Sequence, residues 1–124
     1  DVIVCDRLES ADLGKWRNIA KSPIADFWQP EELFAQLDRH VDRVTAIVHM
    51  GAISSTTEQD ADLILRTNFS LSRDLWDWCA LSDTRLVYAS SAATYGDGSA
   101  GFDDADDLSF ISRLQPLNAY GYSK

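Results

Sequence analysis

The chain has 124 residues, a formal net charge of −9 and 45% hydrophobic residues, which fits one globular domain. The acidic balance argues against nucleic-acid binding, because that binding depends on cationic contacts to phosphate, and no apolar stretch is long enough to span a membrane. Cys5 and Cys79 lack metal-ligand spacing, so we expect them to be reduced core residues of a cytosolic protein.

Short apolar runs alternate with amphipathic segments along the chain. Hydrophobic periodicity predicts strands and helices in turn, with strands at residues 1–6, 22–27, 44–49 and 85–89 and helices at 31–40 and about 60–80. After an acidic loop at 97–107, which we expect to be solvated, a last helix is predicted to begin at Asn118. This alternation predicts an α/β fold, a Rossmann-type doubly wound parallel sheet covered by helices on both faces.

Two motifs contain residues suited to acid–base chemistry. Tyr120 and Lys124 stand one helical turn apart at a predicted helix start, where a nearby cation and the helix dipole favour the phenolate. By itself this pair also fits an exposed Tyr/Lys pair on a helix. Upstream, the strand at 85–89 runs into SSAATYG, which contains Ser91. This strand, SSAATYG and the later P-x-N-x-Y-G-x-S-K together resemble the extended short-chain dehydrogenase/reductase family, the nucleotide-sugar epimerases and dehydratases.

The resemblance covers nearly the whole chain and implies a catalytic group of Ser91, Tyr120 and Lys124. It implies that Tyr120 exchanges protons with a sugar oxygen while hydride moves to and from a bound nicotinamide cofactor. Lys124 is expected to lower the pKa of Tyr120 and to bind the nicotinamide ribose, and Ser91 to hydrogen-bond the reacting oxygen of the substrate. A second base, a lysine further along the chain in similar enzymes, is expected outside this sequence.

Sheets of this type begin with a strand that leads into a glycine-rich loop for the pyrophosphate. None of the six glycines forms such a motif. We therefore interpret residues 1–124 as a partial NAD(P)-binding Rossmann domain, with the first strand and a C-terminal substrate domain absent and with no activity of its own. In the strand order 3-2-1-4-5 the absent strand is central, so we expect two strand pairs with a gap between them.

The expected cofactor site begins at Asp6, where dinucleotide-binding sheets place an acid for the adenosine ribose. Arg7 and Lys15 lie close by in sequence and suit a 2′-phosphate, so NADP is favoured and NAD remains open. A simpler interpretation is that Asp6 only ends a strand. The resemblance extends the expected cofactor contacts to this set: Asp6, Arg7, Lys15, Asp26, Phe27, Met50, Gly51, Ala52, Ile53, Ser54, Asn68, Tyr120 and Lys124.

Several of these residues have an alternative interpretation. Without the resemblance, Phe27 is a core residue and Asp26 a cap. His49 precedes the segment MGAIS and is interpreted as a packed histidine rather than a catalyst. Asn68 falls on an apolar stripe of the long helix, which predicts a buried amide behind the cofactor. In the alternative, Asn68 is exposed and Phe69 lies on the buried stripe.

Within the family, two segments make the resemblance more specific. Residues 49–58 and 88–96 resemble those of epimerases that invert C6″ of an ADP-heptose. Such an enzyme uses tightly bound NADP, forms a 6-keto sugar and returns the hydride to the opposite face. Dehydratases carry an acidic pair where Ala92 and Ala93 stand here. The resemblance implies synthesis of lipopolysaccharide core precursor in the bacterial cytoplasm, a nucleotide-diphosphate sugar as substrate, and a homo-oligomer without membrane or nucleic-acid partners.

Two alternatives remain open at this point. One is a UDP-hexose 4-epimerase or a related NAD(P)-dependent nucleotide-sugar enzyme with the same Ser/Tyr/Lys group. The other is a non-catalytic NADP-binding regulatory protein of the same fold. Such regulators usually lose the Tyr or the Lys, whereas both are present here together with Ser91.

Overall fold

The computed structural model describes residues 1–8 and 14–124. The chain divides into two compact units, Asp1–Val44 and Thr45–Lys124. Each unit contains a pair of parallel strands and is described by itself below.

In the first unit, strand β1 (Val2–Cys5) pairs in parallel with strand β2 (Ile24–Trp28). Helix α1 (Leu33–Arg39) follows a 3-10 turn at Pro30–Glu32. Proline at the start of that turn has the φ angle that a helix entrance requires, so the helix predicted at 31–40 opens with a tighter turn.

The core of the first unit forms between β2 and α1. Trp28 is 4% exposed and Leu37 is 2% exposed, and the Trp28 ring stacks on His40 with 5.5 Å between centroids. A second 3-10 helix at Lys15–Asn18 was not predicted from the sequence. Cys5 lies in β1 but is exposed, so its expected burial is wrong.

In the second unit, strand β3 (Ala46–His49) pairs in parallel with strand β4 (Arg85–Tyr88), in regular register. His49 pairs with Tyr88, so both strands end at the same edge. Val48 and Val87 point to the face opposite His49 and are 64% and 50% exposed. The long helix packs on the face of His49, where Ser72 contacts the His49 ring.

The long helix of the second unit has three consecutive parts, α2 (Ala61–Ile64), a π-helical segment (Leu65–Ser70) and α3 (Leu71–Ser82). Asp60 caps its start by accepting a hydrogen bond from the Leu63 N–H at 2.9 Å. The wider π turn alters which side chains face the sheet. The buried side chains of the long helix include Ile64, Asn68, Leu75 and Cys79.

Two short helices follow β4 and a 3-10 turn at Ala92–Tyr95. Helix α4 (Leu108–Ile111) was not predicted, and it arises because Asp107 caps its first turn and Phe110 is buried. The end of the acidic stretch thus has a structural role. Helix α5 (Ala119–Tyr122) begins at Asn118, as the sequence predicts.

The predicted fold class is confirmed, since the four strands lie where the periodicity places them and pair in parallel as two separate sheets. Within residues 1–8 and 14–124, no helix combines the length and apolar character needed to cross a membrane. The same residues contain no group of three or more histidine, cysteine or acidic side chains placed to hold a metal ion.

Candidate active site

The candidate active site of the second unit lies at the edge where β3 and β4 end. The segment MGAIS leaves β3 at this edge, and Ser90 and Ser91 leave β4 beside it. Met50 is 69% exposed and Gly51 is also exposed, so this backbone is open to a ligand. Ligands of open α/β sheets bind at the carboxyl ends of strands, so this is the edge where a substrate is expected.

Ser91 is held as the cap of the 3-10 turn at Ala92–Tyr95. Its Oγ accepts a hydrogen bond from the Ala93 N–H at 3.2 Å, and its carbonyl accepts one from the Thr94 hydroxyl at 2.7 Å. The side chain is half-buried. Because the Ala93 contact uses a lone pair of Oγ, the Ser91 hydroxyl hydrogen remains a donor.

Helix α5 packs its backbone directly against that turn. Asn118 caps the helix through its Oδ1, which accepts from the Gly121 N–H at 2.8 Å. A Cβ on Gly121 would lie 2.6 Å from the carbonyl oxygen of Ala93, so only glycine allows this approach. The packing brings the element that carries Tyr120 against the element that Ser91 caps.

Lys124 lies just beyond α5, with its N–H donating to the Gly121 carbonyl at 3.3 Å. Its ammonium lies over the ring of Tyr88, 4.4 Å from the centroid, where a cation–π contact holds it at the end of β4. The helical spacing predicts that Lys124 lies near Tyr120, which stays a prediction. The contact with the ring of Tyr88 was not predicted.

Asn68 is fully buried and all of its side-chain atoms have partners. Its Oδ1 accepts from the Ile53 N–H at 2.8 Å, while its Nδ2 donates to the Ile53 carbonyl at 3.0 Å and to Ser123 Oγ at 2.9 Å. The predicted buried amide is confirmed, and the alternative is wrong because Phe69 is 51% exposed. Asn68 fixes the backbone of the MGAIS segment from behind.

His49 is a packed residue, as the sequence predicts. It is 6% exposed, stacks on Tyr88 at 5.7 Å, and its Nε2 lies 2.9 Å from Ser72 Oγ. The Ser72 hydroxyl donates to the Asn68 carbonyl, so we assign the Nε2 hydrogen of His49 as donor to Ser72. Burial lowers the pKa of His49, and the charge of Lys124 lowers it further.

This lowered pKa gives a prediction for stability against pH. The unfolded chain takes up the His49 proton near the ordinary value of about 6.5, whereas the folded chain resists it. Stability is therefore expected to fall as the pH drops through that value, and to fall less in a His49→Gln variant. Urea unfolding of the wild-type and His49→Gln proteins at pH 7.5 and pH 5.5 measures the loss of stability. An equal loss of stability in the two proteins would contradict the prediction.

The expected adenosine side of the cofactor site lies in the first unit. Lys15 Nζ lies 2.6 Å from Asp6 Oδ1 and donates to the Arg7 carbonyl at 3.0 Å. The Arg7 guanidinium forms an exposed ion pair with Glu31. Arg7 and Glu31 also line a depression of about 270 Å³ with Leu8 and Gln29. The structure thus brings Asp6, Arg7 and Lys15 together just beyond β1.

Asp26 is the third of the five residues of β2, and both of its carboxylate oxygens bond within that strand. Oδ1 accepts from the Phe27 N–H and Oδ2 from the Trp28 indole N–H, each at 2.8 Å. The bond from Trp28, followed by that from Phe27, lowers the pKa of Asp26. Phe27 is half-buried. The interpretation of Asp26 as a cap is therefore wrong, and its adenine contact stays a proposal.

Sequence reasoning missed three residues that the structure places in or beside these sites. Ser123 bridges Asn68 and the Tyr120 carbonyl, Tyr88 lies beneath Lys124, and Glu31 pairs with Arg7. Tyr88 had a usable signal, since it ends the strand that runs into the serines. The other two depend on contacts between segments far apart in sequence.

The chain matches the NAD dependent epimerase/dehydratase family over residues 1–124. It is 41% identical over 126 residues to the ADP-L-glycero-D-manno-heptose-6-epimerase of Fusobacterium nucleatum. It is 45% identical over 127 residues to the enzyme of the same name from Nitratidesulfovibrio vulgaris. These alignments cover 100% of this chain and 37% and 38% of the two relatives, so it spans little more than a third of their length.

The fold of this chain agrees with a solved structure of an enzyme that has the same name as these two relatives. The crystal structure of Helicobacter pylori ADP-L-glycero-D-manno-heptose-6-epimerase superposes with a TM-score of 0.78 at 25% identity, over 99% of this chain and 39% of that one. The resemblance to ADP-heptose epimerases that the motifs indicated is thereby confirmed, as is the Rossmann-type fold.

Proposed function

The chain belongs to the NAD dependent epimerase/dehydratase family, and on this premise we propose that its protein inverts C6″ of an ADP-heptose through a transient keto sugar. The proposal depends on one observation. Gly121 allows the helix that contains Tyr120 to pack closely against the turn that Ser91 caps. At the same edge of the sheet, the Lys124 ammonium lies over the ring of Tyr88. A phenol, a hydroxyl and an ammonium therefore belong to packed elements at one sheet edge. The names of the relatives support ADP-heptose as substrate.

NADP is the proposed cofactor, with NAD as the alternative. Each unit by itself contains residues that suit one part of a dinucleotide. In the second unit the exposed MGAIS backbone lies at the end of β3, and in the first unit Asp6, Arg7 and Lys15 cluster beyond β1. Asp6 would bond the adenosine ribose, while Arg7 and Lys15 would meet a 2′-phosphate. The segment MGAIS and Lys124 would lie along the ribose and pyrophosphate. When bound, the nicotinamide supplies hydride acceptance and return at the sugar carbon.

The residues of this chain are proposed to serve one face of the sugar. Tyr120 Oη exchanges the proton of the C6″ oxygen at that face as the carbonyl forms or the alcohol re-forms, and the second base expected outside this sequence serves the opposite face. Ser91 directs its hydroxyl hydrogen at the same oxygen, because its Oγ lone pair already accepts from Ala93. Asn68 holds the Ile53 backbone in place beneath the reacting groups.

The test is turnover of ADP-D-glycero-D-manno-heptose by the full-length protein, followed by proton NMR of the sugar. The expected result is interconversion of the two C6″ epimers with no net change in reduced cofactor. Turnover of UDP-glucose to UDP-galactose in place of this reaction would indicate the UDP-hexose 4-epimerase. Nucleotide binding without turnover of either sugar would indicate a regulatory protein.

The setting of the reaction belongs to the same proposal. An ADP-heptose epimerase supplies precursor for the lipopolysaccharide core, so we place the protein in the bacterial cytoplasm. The full-length protein is proposed to form a homo-oligomer. Size-exclusion chromatography with light scattering measures that state, and a monomer at micromolar concentration would contradict it.

Cofactor choice is expected to depend on Arg7. In the full-length protein, Arg7→Glu places a second carboxylate beside the position of the 2′-phosphate, next to Asp6, and leaves Glu31 without its partner. We expect NADP affinity to fall at least tenfold, or about 1.4 kcal/mol, with little change for NAD. Isothermal titration with both nucleotides measures this. Equal losses for NADP and NAD, or no loss, would remove Arg7 from the phosphate site.

A further inference from the structure

Ser123 is a buried hydroxyl that the catalytic group does not include. It is 3% exposed, and its Oγ has two partners on opposite sides. Asn68 Nδ2 donates to Oγ at 2.9 Å, and the Ser123 hydroxyl donates to the Tyr120 carbonyl at 2.7 Å. One accepted and one donated bond fix the orientation of this hydroxyl.

The bond to Asn68 joins segments far apart in sequence. The same amide holds the N–H and the carbonyl of Ile53, in the segment that leaves β3. Through Ser123 it also holds the backbone of Tyr120, on α5. The expected cofactor segment and the expected proton donor are therefore tied to one side chain that is fully buried.

Contacts at several points hold helix α5 (Ala119–Tyr122) in its unit. Asn118 caps the first turn, and Gly121 lets the helix backbone lie close to the turn at Ala92–Tyr95. Ser123 follows directly and adds the bond to Asn68. Rotation of the helix about its axis would disturb these contacts and move Tyr120 Oη.

We propose that Ser123 is a positioning residue for proton transfer, which sets the direction of the Tyr120 side chain by linking its backbone to Asn68. The proposal rests on the proposed function, since it concerns the aim of Tyr120 at the sugar oxygen. It assigns Ser123 no contact with substrate. Misplacement of a reacting group by about 1 Å can cost up to about 100-fold in rate. Loss of Ser123 is expected to lower kcat and to leave KM unchanged.

The test compares Ser123→Ala with Ser82→Ala in the full-length protein. Ser82 is a serine of the same unit whose hydroxyl donates to the Trp78 carbonyl at 2.8 Å and lies 2.9 Å from Thr84 Oγ1, at the opposite edge of the sheet. We expect Ser123→Ala to lower kcat for the ADP-heptose about 10- to 100-fold, with KM and NADP affinity within about twofold. Ser82→Ala is expected to retain kcat even though it also loses partly buried hydrogen bonds.

A double-mutant cycle with Asn68→Ala separates positioning from general loosening. If Ser123 acts through Asn68, the double variant loses little more kcat than Asn68→Ala alone. Three outcomes would each overturn the positioning role: additive losses of kcat in the double variant, an unchanged kcat in Ser123→Ala, or an equal loss of kcat in Ser82→Ala. With any of them, normal turnover by the wild-type protein would still support the proposed function. Wild-type protein that binds NADP and turns over no ADP-heptose would contradict the proposed function, and the positioning role with it.

Discussion

Replacing Tyr120 by phenylalanine in the full-length protein is expected to lower the epimerisation rate by about 10²- to 10⁴-fold. This loss corresponds to roughly 3–5 kcal/mol of activation free energy. The variant keeps the ring, the cap at Asn118 and the packing of Gly121, so folding and cofactor binding should remain normal. Only the hydroxyl that exchanges a proton with the sugar oxygen is removed. NMR turnover assays, with bound nicotinamide quantified in parallel, measure the effect.

Tyr122→Phe is the matched control for this experiment. Tyr122 is 71% exposed and stands two residues further on, which corresponds to about 200° around a helix. It should point away from the reacting oxygen and retain near-normal turnover. A slow Tyr122→Phe beside an active Tyr120→Phe would reverse the assignment, and it would remove the main reason to describe this protein as an epimerase.

Asn68→Leu is expected to be the most destabilising single substitution considered for this protein. Leucine has a similar volume, but it leaves the Ile53 N–H and the Ile53 carbonyl without this partner and removes the bond that Ser123 Oγ accepts. Each unsatisfied buried group costs about 1–3 kcal/mol. The free energy of unfolding should therefore fall by about 2 kcal/mol or more, as measured by urea denaturation of the full-length protein.

Asn18→Leu makes the same chemical change on the surface. Asn18 lies exposed in the 3-10 helix at Lys15–Asn18, so its replacement should alter stability by no more than about 0.5 kcal/mol. A loss for Asn68→Leu no larger than that of Asn18→Leu would show that the buried amide network contributes little. It would also weaken the argument that Asn68 supports the MGAIS segment.

The positions of the strands and their parallel pairing were predictable from local pattern. The strands are short and rich in apolar residues, and that pattern depends only on neighbours in sequence. The start of α5 was predictable for the same reason, because an asparagine cap acts within three residues of its own position. The motifs around Ser91 and Tyr120 indicated the family, which the comparison with known proteins confirmed.

Local pattern missed some features of the second unit. The spacing of Tyr120 and Lys124 predicts a shared helix face, but it does not predict the contact of the Lys124 ammonium with the ring of Tyr88. Helix α4 was missed because a four-residue helix has too little periodicity to detect.

The sequence by itself therefore determined the fold class, the positions of the strands and the motifs that contain Ser91, Tyr120 and Lys124. Only the tertiary structure decided how those residues are held. The amide of Asn68 reaches Ser123 across 55 positions of sequence, and Gly121 meets the backbone of Ala93. Such contacts join segments whose distance in space depends on the packing of the whole unit. Periodicity and capping patterns act over a few residues and contain no information about them.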